Sequence, residues 1–193
     1  MHQASFGYDD AADDFIRARS QTIGLGVIDA FAKRLPQGAS VLELGAGFGL
    51  PVTLRLKRSG FEVFAIESSP SLYARLNINL PGIHAQCEDA LKSDFFDRTF
   101  EAVIFVGLIF LLPPEDQKTL ITKTAKVIKS GGFLLFSVPL KPCLWTDSLT
   151  HQPSQSLGLD AYRDSLKTQG LELIDTPKDE GGNEYVMAVK KPQ

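Results

Sequence analysis

A chain of 193 residues, 44% hydrophobic and 22% charged, is long enough to bury one sizeable core and has the composition of an ordinary globular protein. Its net charge of −3 leaves no basic footprint for the phosphates of duplex DNA or long RNA, so no nucleic-acid partner is expected and a small substrate is favoured. Two cysteines, Cys87 and Cys143, stand far apart with no C-x-x-C, which suggests neither a disulfide framework nor a zinc site.

No metal is expected. The start Met1–Phe6 lacks a basic stretch followed by an apolar one, and no later apolar run reaches spanning length. The expectation is a cytoplasmic protein with no membrane association.

In chain order, residues 9–34 place Phe15, Ile16, Ile23, Leu25, Val27, Ile28 and Phe31 at helical intervals, broken at Gly24 and Gly26. Two helical segments are predicted. Val41-Leu42-Glu43-Leu44 then suits a buried strand and runs into Gly45-Ala46-Gly47-Phe48-Gly49, with glycine at alternate positions. Glycines so spaced free the backbone and remove Cβ atoms, so a ligand can lie against the main chain. Pro51 and the amphipathic Val52–Leu56 predict a helix directly after the loop.

A dinucleotide fingerprint would need glycine where Leu50 stands, and a phosphate loop would need Gly-Lys-Ser/Thr, which is absent. Glu43 at the loop mouth would repel a pyrophosphate and would suit a ligand bearing an ammonium or sulfonium cation. S-adenosylmethionine carries both. The stretch Glu43–Gly49 resembles the E/D-x-G-x-G-x-G loop of class I S-adenosylmethionine-dependent methyltransferases. That resemblance implies cofactor contacts from Glu43, Gly45, Ala46, Gly47 and Gly49, with S-adenosylhomocysteine as product. Tyr8-Asp9-Asp10-Ala11-Ala12 looks like the segment that folds over the cofactor in small-molecule members. Tyr8, Arg17 and Arg19 become candidates through it.

Phe61–Ile66 reads as a second strand ending in Glu67-Ser68-Ser69-Pro70, where Ser69 can cap and Pro70 can open a helix. Glu67 lies 18 residues past Gly49, a spacing at which an acidic strand end accepts hydrogen bonds from both ribose hydroxyls. After a third strand at Ile83–Cys87, Glu88-Asp89-Ala90 is similar to the family's acidic pair that addresses the adenine. Asp89 is the first choice and Glu88 the alternative. Ser68, Ala90 and Val106 complete the cofactor contacts implied by the resemblance.

Phe100–Gly107 is apolar almost throughout, as a central parallel strand should be. Beyond it, Leu108–Pro114 offers no polar side chain, lacks the Asn/Asp-Pro-Pro segment of amino-methylating enzymes acting on DNA, and reads as a packing wall. Glu115–Lys129 is an amphipathic helix, Ser130-Gly131-Gly132 is read as its end, and Phe133–Val138 as a fifth strand. Residues 139–158 read as a long loop carrying Trp145, Asp147 and His151 near the strand ends. His151 is the catalytic candidate, with nothing nearby in sequence to fix its geometry.

A helix over Leu159–Gln169 and two strands about Gly181-Gly182-Asn183 close the chain. The resemblance then implies an α/β, Rossmann-like doubly wound sheet of seven strands in order 3-2-1-4-5-7-6, strand 7 antiparallel, with helices on both faces. It also implies one methyltransferase domain, with residues 1–36 as an N-terminal helical lid over a core at 37–193. The expected activity is in-line methyl transfer to a small, partly apolar acceptor. The alternatives are an S-adenosylmethionine-binding protein without turnover and a nicotinamide-dependent oxidoreductase.

Overall fold

The computed structural model describes residues 5–192. Residues 1–4, assigned above to the lid and to the chain start, and residue 193 of the core lie outside the described residues. The helices are α1 (Ala12–Ala18), α2 (Leu25–Ala32), α3 (Val52–Arg58), α4 (Pro70–Asn79), α5 (Pro114–Val127) and α6 (Leu159–Thr168). The strands are β1 (Ser40–Leu44), β2 (Glu62–Glu67), β3 (His84–Cys87), β4 (Phe100–Phe105), β5 (Ile128–Ser137), β6 (Cys143–Thr146), β7 (Pro153–Ser156), β8 (Leu171–Asp175) and β9 (Tyr185–Lys190).

Seven strands form one sheet in the order β3-β2-β1-β4-β5-β9-β8, with β9 antiparallel to both neighbours. With β8 and β9 counted as its sixth and seventh strands, this is the expected order. Successive strand residues point to opposite faces. Leu42, Leu44, Phe64, Ile66, Val103 and Phe105 therefore join one core, capped by Leu120 and Ile121 of α5 and by Tyr162 and Leu166 of α6. Val41, Val63, Ala102, Ile104 and Leu135 join the other, under Val27, Ile28 and Phe31 of α2 and Val52 and Leu56 of α3. Each fully buried Val, Leu, Ile or Phe among them contributes about 1.5–3 kcal/mol, so helices on both faces are needed to cover the sheet.

The strand order reverses between β1 and β4, which pair in parallel through Glu43↔Ile104 and Leu44↔Phe105. Loops leaving the carboxyl ends of these two strands diverge, and the crevice between them is where open α/β sheets bind ligands.

Two segments differ from the sequence expectation. Ser130-Gly131-Gly132 does not end α5: the helix stops at Val127, Ile128 is already extended, and the glycines lie within β5. They form a bulge there, because the pairing jumps from Phe100↔Ile128 to Ala102↔Phe133. A Cβ on Gly132 would come within 2.7 Å of the Glu101 carbonyl oxygen. Within 139–158, where a loop was expected, β6 and β7 pair as an antiparallel hairpin outside the main sheet. Their short, mostly polar or exposed residues give no alternating signal, and the hairpin is closed by Asp147. Among the described residues, no helix is long and apolar enough to cross a membrane and no group of His, Cys, Asp and Glu could hold a metal ion.

Candidate functional site

The loop after β1 is held open by main-chain bonds: the Gly45 and Ala46 amides donate to the Ile66 carbonyl at 2.8 and 3.2 Å. Gly47 takes φ +58°, and a Cβ there would lie 3.1 Å from the Phe15 ring. The flat face of this loop is thus a cradle that a side chain would fill. Gly49 has a different job. A Cβ at its position would meet Leu80 at 2.9 Å and Leu76 at 3.5 Å, so it permits close packing beside α4 and does not line the cleft.

Glu43 sits under the cradle and is 4% exposed. Its Oε2 and the Thr53 Oγ1 are buried without a hydrogen-bond partner among the described residues. Burial pushes its pKa up to about 7; the nearby Thr53 hydroxyl, short of a proper hydrogen bond, and the Arg19 charge offset part of that rise, while the Glu67 charge adds to it. An unmatched buried carboxylate is costly, and a cation arriving in the cradle would relieve it.

Glu67 is also buried, yet both of its oxygens are partnered. Its Oε2 accepts from the Gly47 amide at 2.7 Å and its Oε1 from the Ser69 amide at 2.8 Å. Burial raises its pKa, with the amides of Ser69, Gly47 and Ser68 opposing. One carboxylate therefore ties the glycine loop to the start of α4, and each oxygen keeps acceptor capacity for a hydroxyl in the cleft it lines. Ser69 caps α4 by accepting from the Leu72 amide, and its hydroxyl donates to Asp9 Oδ1 at 2.7 Å, which anchors the N-terminal segment on the sheet.

The cleft holds about 260 Å³. Its inner wall is Glu43, Gly45, Ala46, Gly47, Glu67, Ser68 and Val106; Tyr8, Phe15 and Arg19 come from the N-terminal segment, and Phe110, Leu111, Trp145 and Asp147 from the outer loops. Tyr8 stacks edge-on against Phe15 at 5.3 Å, and Phe15 against Phe48 at 6.0 Å. The Tyr8 hydroxyl donates to Asp147 Oδ2 at 3.0 Å, closing the outer end. Phe110 and Trp145 pair at 5.2 Å. Arg19 is the one cationic residue on the wall among the described residues, whereas Arg17 pairs with Asp14 on the surface, away from the cleft.

Glu88, Asp89 and Ala90 line a separate recess of about 20 Å³ that shares Phe6, Gly45, Ser68 and Leu108 with the cleft. Asp89 Oδ1 accepts from the Leu91 amide at 2.9 Å. His151 is exposed in the β6–β7 turn at φ +57° and lines neither space. Its amide donates to the Asp147 carbonyl, so its role there is in the turn. Sequence reasoning missed Phe6, Phe15 and Leu72 as wall residues, since only the folded chain brings them over the loop. For Phe15, its place on an amphipathic α1 directed at a glycine loop was the available signal.

The family model described as a methyltransferase domain matches residues 41–132, which run from β1 into β5. The chain is 27% identical over 200 residues to a carboxy-S-adenosyl-L-methionine synthase of Shewanella loihica, covering 96% of this chain and 79% of that protein. It is 28% identical over 189 residues to a 2-methyl-6-phytyl-1,4-hydroquinone methyltransferase of Synechocystis, covering 89% of this chain and 58% of that protein. The fold is shared with the Burkholderia thailandensis 1,6-didemethyltoxoflavin-N1-methyltransferase, solved with bound 1,6-didemethyltoxoflavin and S-adenosylhomocysteine: TM-score 0.75, 16% identity, 96% of this chain and 84% of that one. With the strand order and the glycine loop in agreement, residues 41–132 match the methyltransferase-domain model and the chain has the fold of class I S-adenosylmethionine-dependent methyltransferases.

Proposed function

We propose that the protein is a cytoplasmic S-adenosylmethionine-dependent methyltransferase that acts on a small, partly apolar molecule and not on nucleic acid. The observation that carries this reading is Glu43: a buried carboxylate with an unpartnered oxygen, set beneath a backbone cradle. The residues present fit the cofactor. Glu43 would take its ammonium, Arg19 its carboxylate and Glu67 the ribose hydroxyls, with Ser68 and Val106 alongside and Glu88, Asp89 and Ala90 toward the adenine.

When bound, S-adenosylmethionine supplies a methyl group already activated by its sulfonium, because the leaving group is a neutral thioether. The chain's own tasks are then to align an acceptor and to exclude water. Phe110, Leu111 and Trp145 give that end of the cleft an apolar wall. Residues 1–36 would act as a lid on a core at 37–193, an arrangement supported by Asp9 bonding to Ser69 and by Tyr8 bonding to Asp147. The narrow cleft and the net charge of −3 support a small acceptor over a nucleic acid. Two free cysteines, both exposed, support a reducing compartment.

A thermal-shift series tests the cofactor. S-adenosylmethionine and S-adenosylhomocysteine should each raise the melting temperature, and NADH should not; a shift with NADH alone would leave the oxidoreductase reading standing. A second reading draws on the 27% identity, along 96% of this chain, to a carboxy-S-adenosyl-L-methionine synthase. In that case S-adenosylmethionine would itself be modified. Mass analysis of the spent nucleoside separates the two, since methyl transfer leaves S-adenosylhomocysteine and the synthase reaction leaves a carboxylated sulfonium.

A further inference from the structure

Among the described residues, four charged side chains line the cleft: Arg19 and the carboxylates of Glu43, Glu67 and Asp147. Under the methyltransferase reading, on which the following rests, three of them are matched. Arg19 faces the cofactor's carboxylate, Glu43 its ammonium, and Glu67 the ribose hydroxyls. Asp147 has no counterpart in the cofactor.

The outer end of the cleft places that carboxylate among aromatic rings. Trp145 and Asp147 are two positions apart where β6 runs into its turn, so they share one face of the hairpin, while Leu144, one position before Trp145, is 79% exposed on the other. Trp145 pairs with Phe110, and Tyr8 donates to the carboxylate itself. Asp147 is held firmly. Its Oδ1 accepts from the Leu149 amide at 3.0 Å, the Thr150 amide at 2.8 Å and the Thr150 hydroxyl at 3.0 Å. Among the described residues its Oδ2 accepts only from Tyr8, which leaves acceptor capacity on the oxygen tied to the cleft wall. Partial burial favours protonation, but these hydrogen bonds outweigh it and keep the group below the ordinary carboxylate range. The group is thus a fixed negative charge beside an indole and two further rings, the chemistry that recognises an ammonium through a carboxylate and through cation–π contact.

We propose that the methyl acceptor is a small molecule with an apolar body and a protonated amine, and that Asp147, backed by Trp145 and Phe110, is the residue that selects it. Asp147 acts here as a specificity-determining residue and not as a base. The ammonium is the handle by which the acceptor is oriented, and the rings take up the apolar body.

The test uses three probes of similar shape: 2-phenylethylamine, 2-phenylethanol and 3-phenylpropionate, titrated into the full chain saturated with S-adenosylhomocysteine. The amine should bind at least about tenfold more tightly than either of the others. Asp147→Asn, which keeps an acceptor oxygen for the turn, should remove that preference, and Trp145→Leu should weaken the amine more than the alcohol. Equal binding of the three probes by the native chain, or tighter binding of the carboxylate, overturns the proposal whatever the variants do. An amine preference that survives unchanged in a folded Asp147→Asn protein overturns the role of Asp147. Failure of S-adenosylhomocysteine to bind at all is a separate result, and it counts against the methyltransferase reading itself.

Discussion

At the sheet end of the cleft, Glu67 bonds to Gly47 across 20 positions and Gly45 donates to the neighbouring strand; at the outer end, Tyr8 and Asp147 meet across 139 positions. The sheet end is also the buried one, with Glu43 and Glu67 4% and 6% exposed, whereas Tyr8 and Asp147 are only partly covered. The first end is fixed by strand pairing and opens only with the core. The second closes through a few partly buried contacts, and such regions open locally at much lower free energy. A cleft built in this way can hold one ligand in a rigid seat and admit another past a movable edge.

Three substitutions test that division, the two buried carboxylates first and the smallest expected effect last. In the ligand-free protein, Glu43→Gln should stabilise the fold, because the carboxyl's pKa of about 7 lies above its ordinary 4.5. The folded state holds this proton more tightly than the unfolded chain, so the stabilisation that protonation provides is present below the ordinary pKa and is lost as pH rises to about 7. A charged Glu43 above that pH costs about 3 kcal/mol, and urea denaturation should find Glu43→Gln more stable by roughly that amount at pH 8 and little changed at pH 4.5. No difference at pH 8 would mean that Glu43 is already matched inside the protein.

Glu67→Ala should act in the opposite direction. It leaves the buried Gly47 and Ser69 amides without their acceptor, at about 1–3 kcal/mol each, and under the proposed function it also removes the acceptor for ribose hydroxyls. A lowered melting temperature and weakened S-adenosylhomocysteine binding should therefore appear together. Loss of affinity with no loss of stability would show that the two amides find other partners. Tyr8→Phe is the mildest change, removing one hydrogen bond worth about 1 kcal/mol while keeping the ring against Phe15. Hydrogen exchange should quicken in residues 147–152 and in the N-terminal segment but not in β1. Equal quickening in β1 would deny that the ends open separately.

The same division explains which parts of the molecule could be read in the sequence. Glu43–Gly49 is contiguous and Glu67 ends the next strand, so the cradle followed from local pattern, and the strand order came with the family resemblance that this pattern carries. Gly49 was grouped with the cradle by its spacing, although its φ of +83° and its contact with Leu80 serve packing beside α4. The outer wall could not be read in this way. Trp145 and Asp147 were expected near the strand ends, but Phe6 and Phe15 join them only through tertiary contacts, and β6 and β7 lack the alternation that marks a strand. His151 drew attention as the histidine of a long loop, but residue type alone carries no direction, and the turn points the chain elsewhere.

The most direct test of this account is a calorimetric titration of S-adenosylhomocysteine at pH 8 into the native chain, Glu43→Gln and Trp145→Ala. The native protein should bind at a single site, Glu43→Gln should lose about tenfold or more in affinity as a charged hydrogen bond is removed, and Trp145→Ala should stay within about twofold of the native chain. No binding by the native protein, or equal losses in the two variants, would contradict the account.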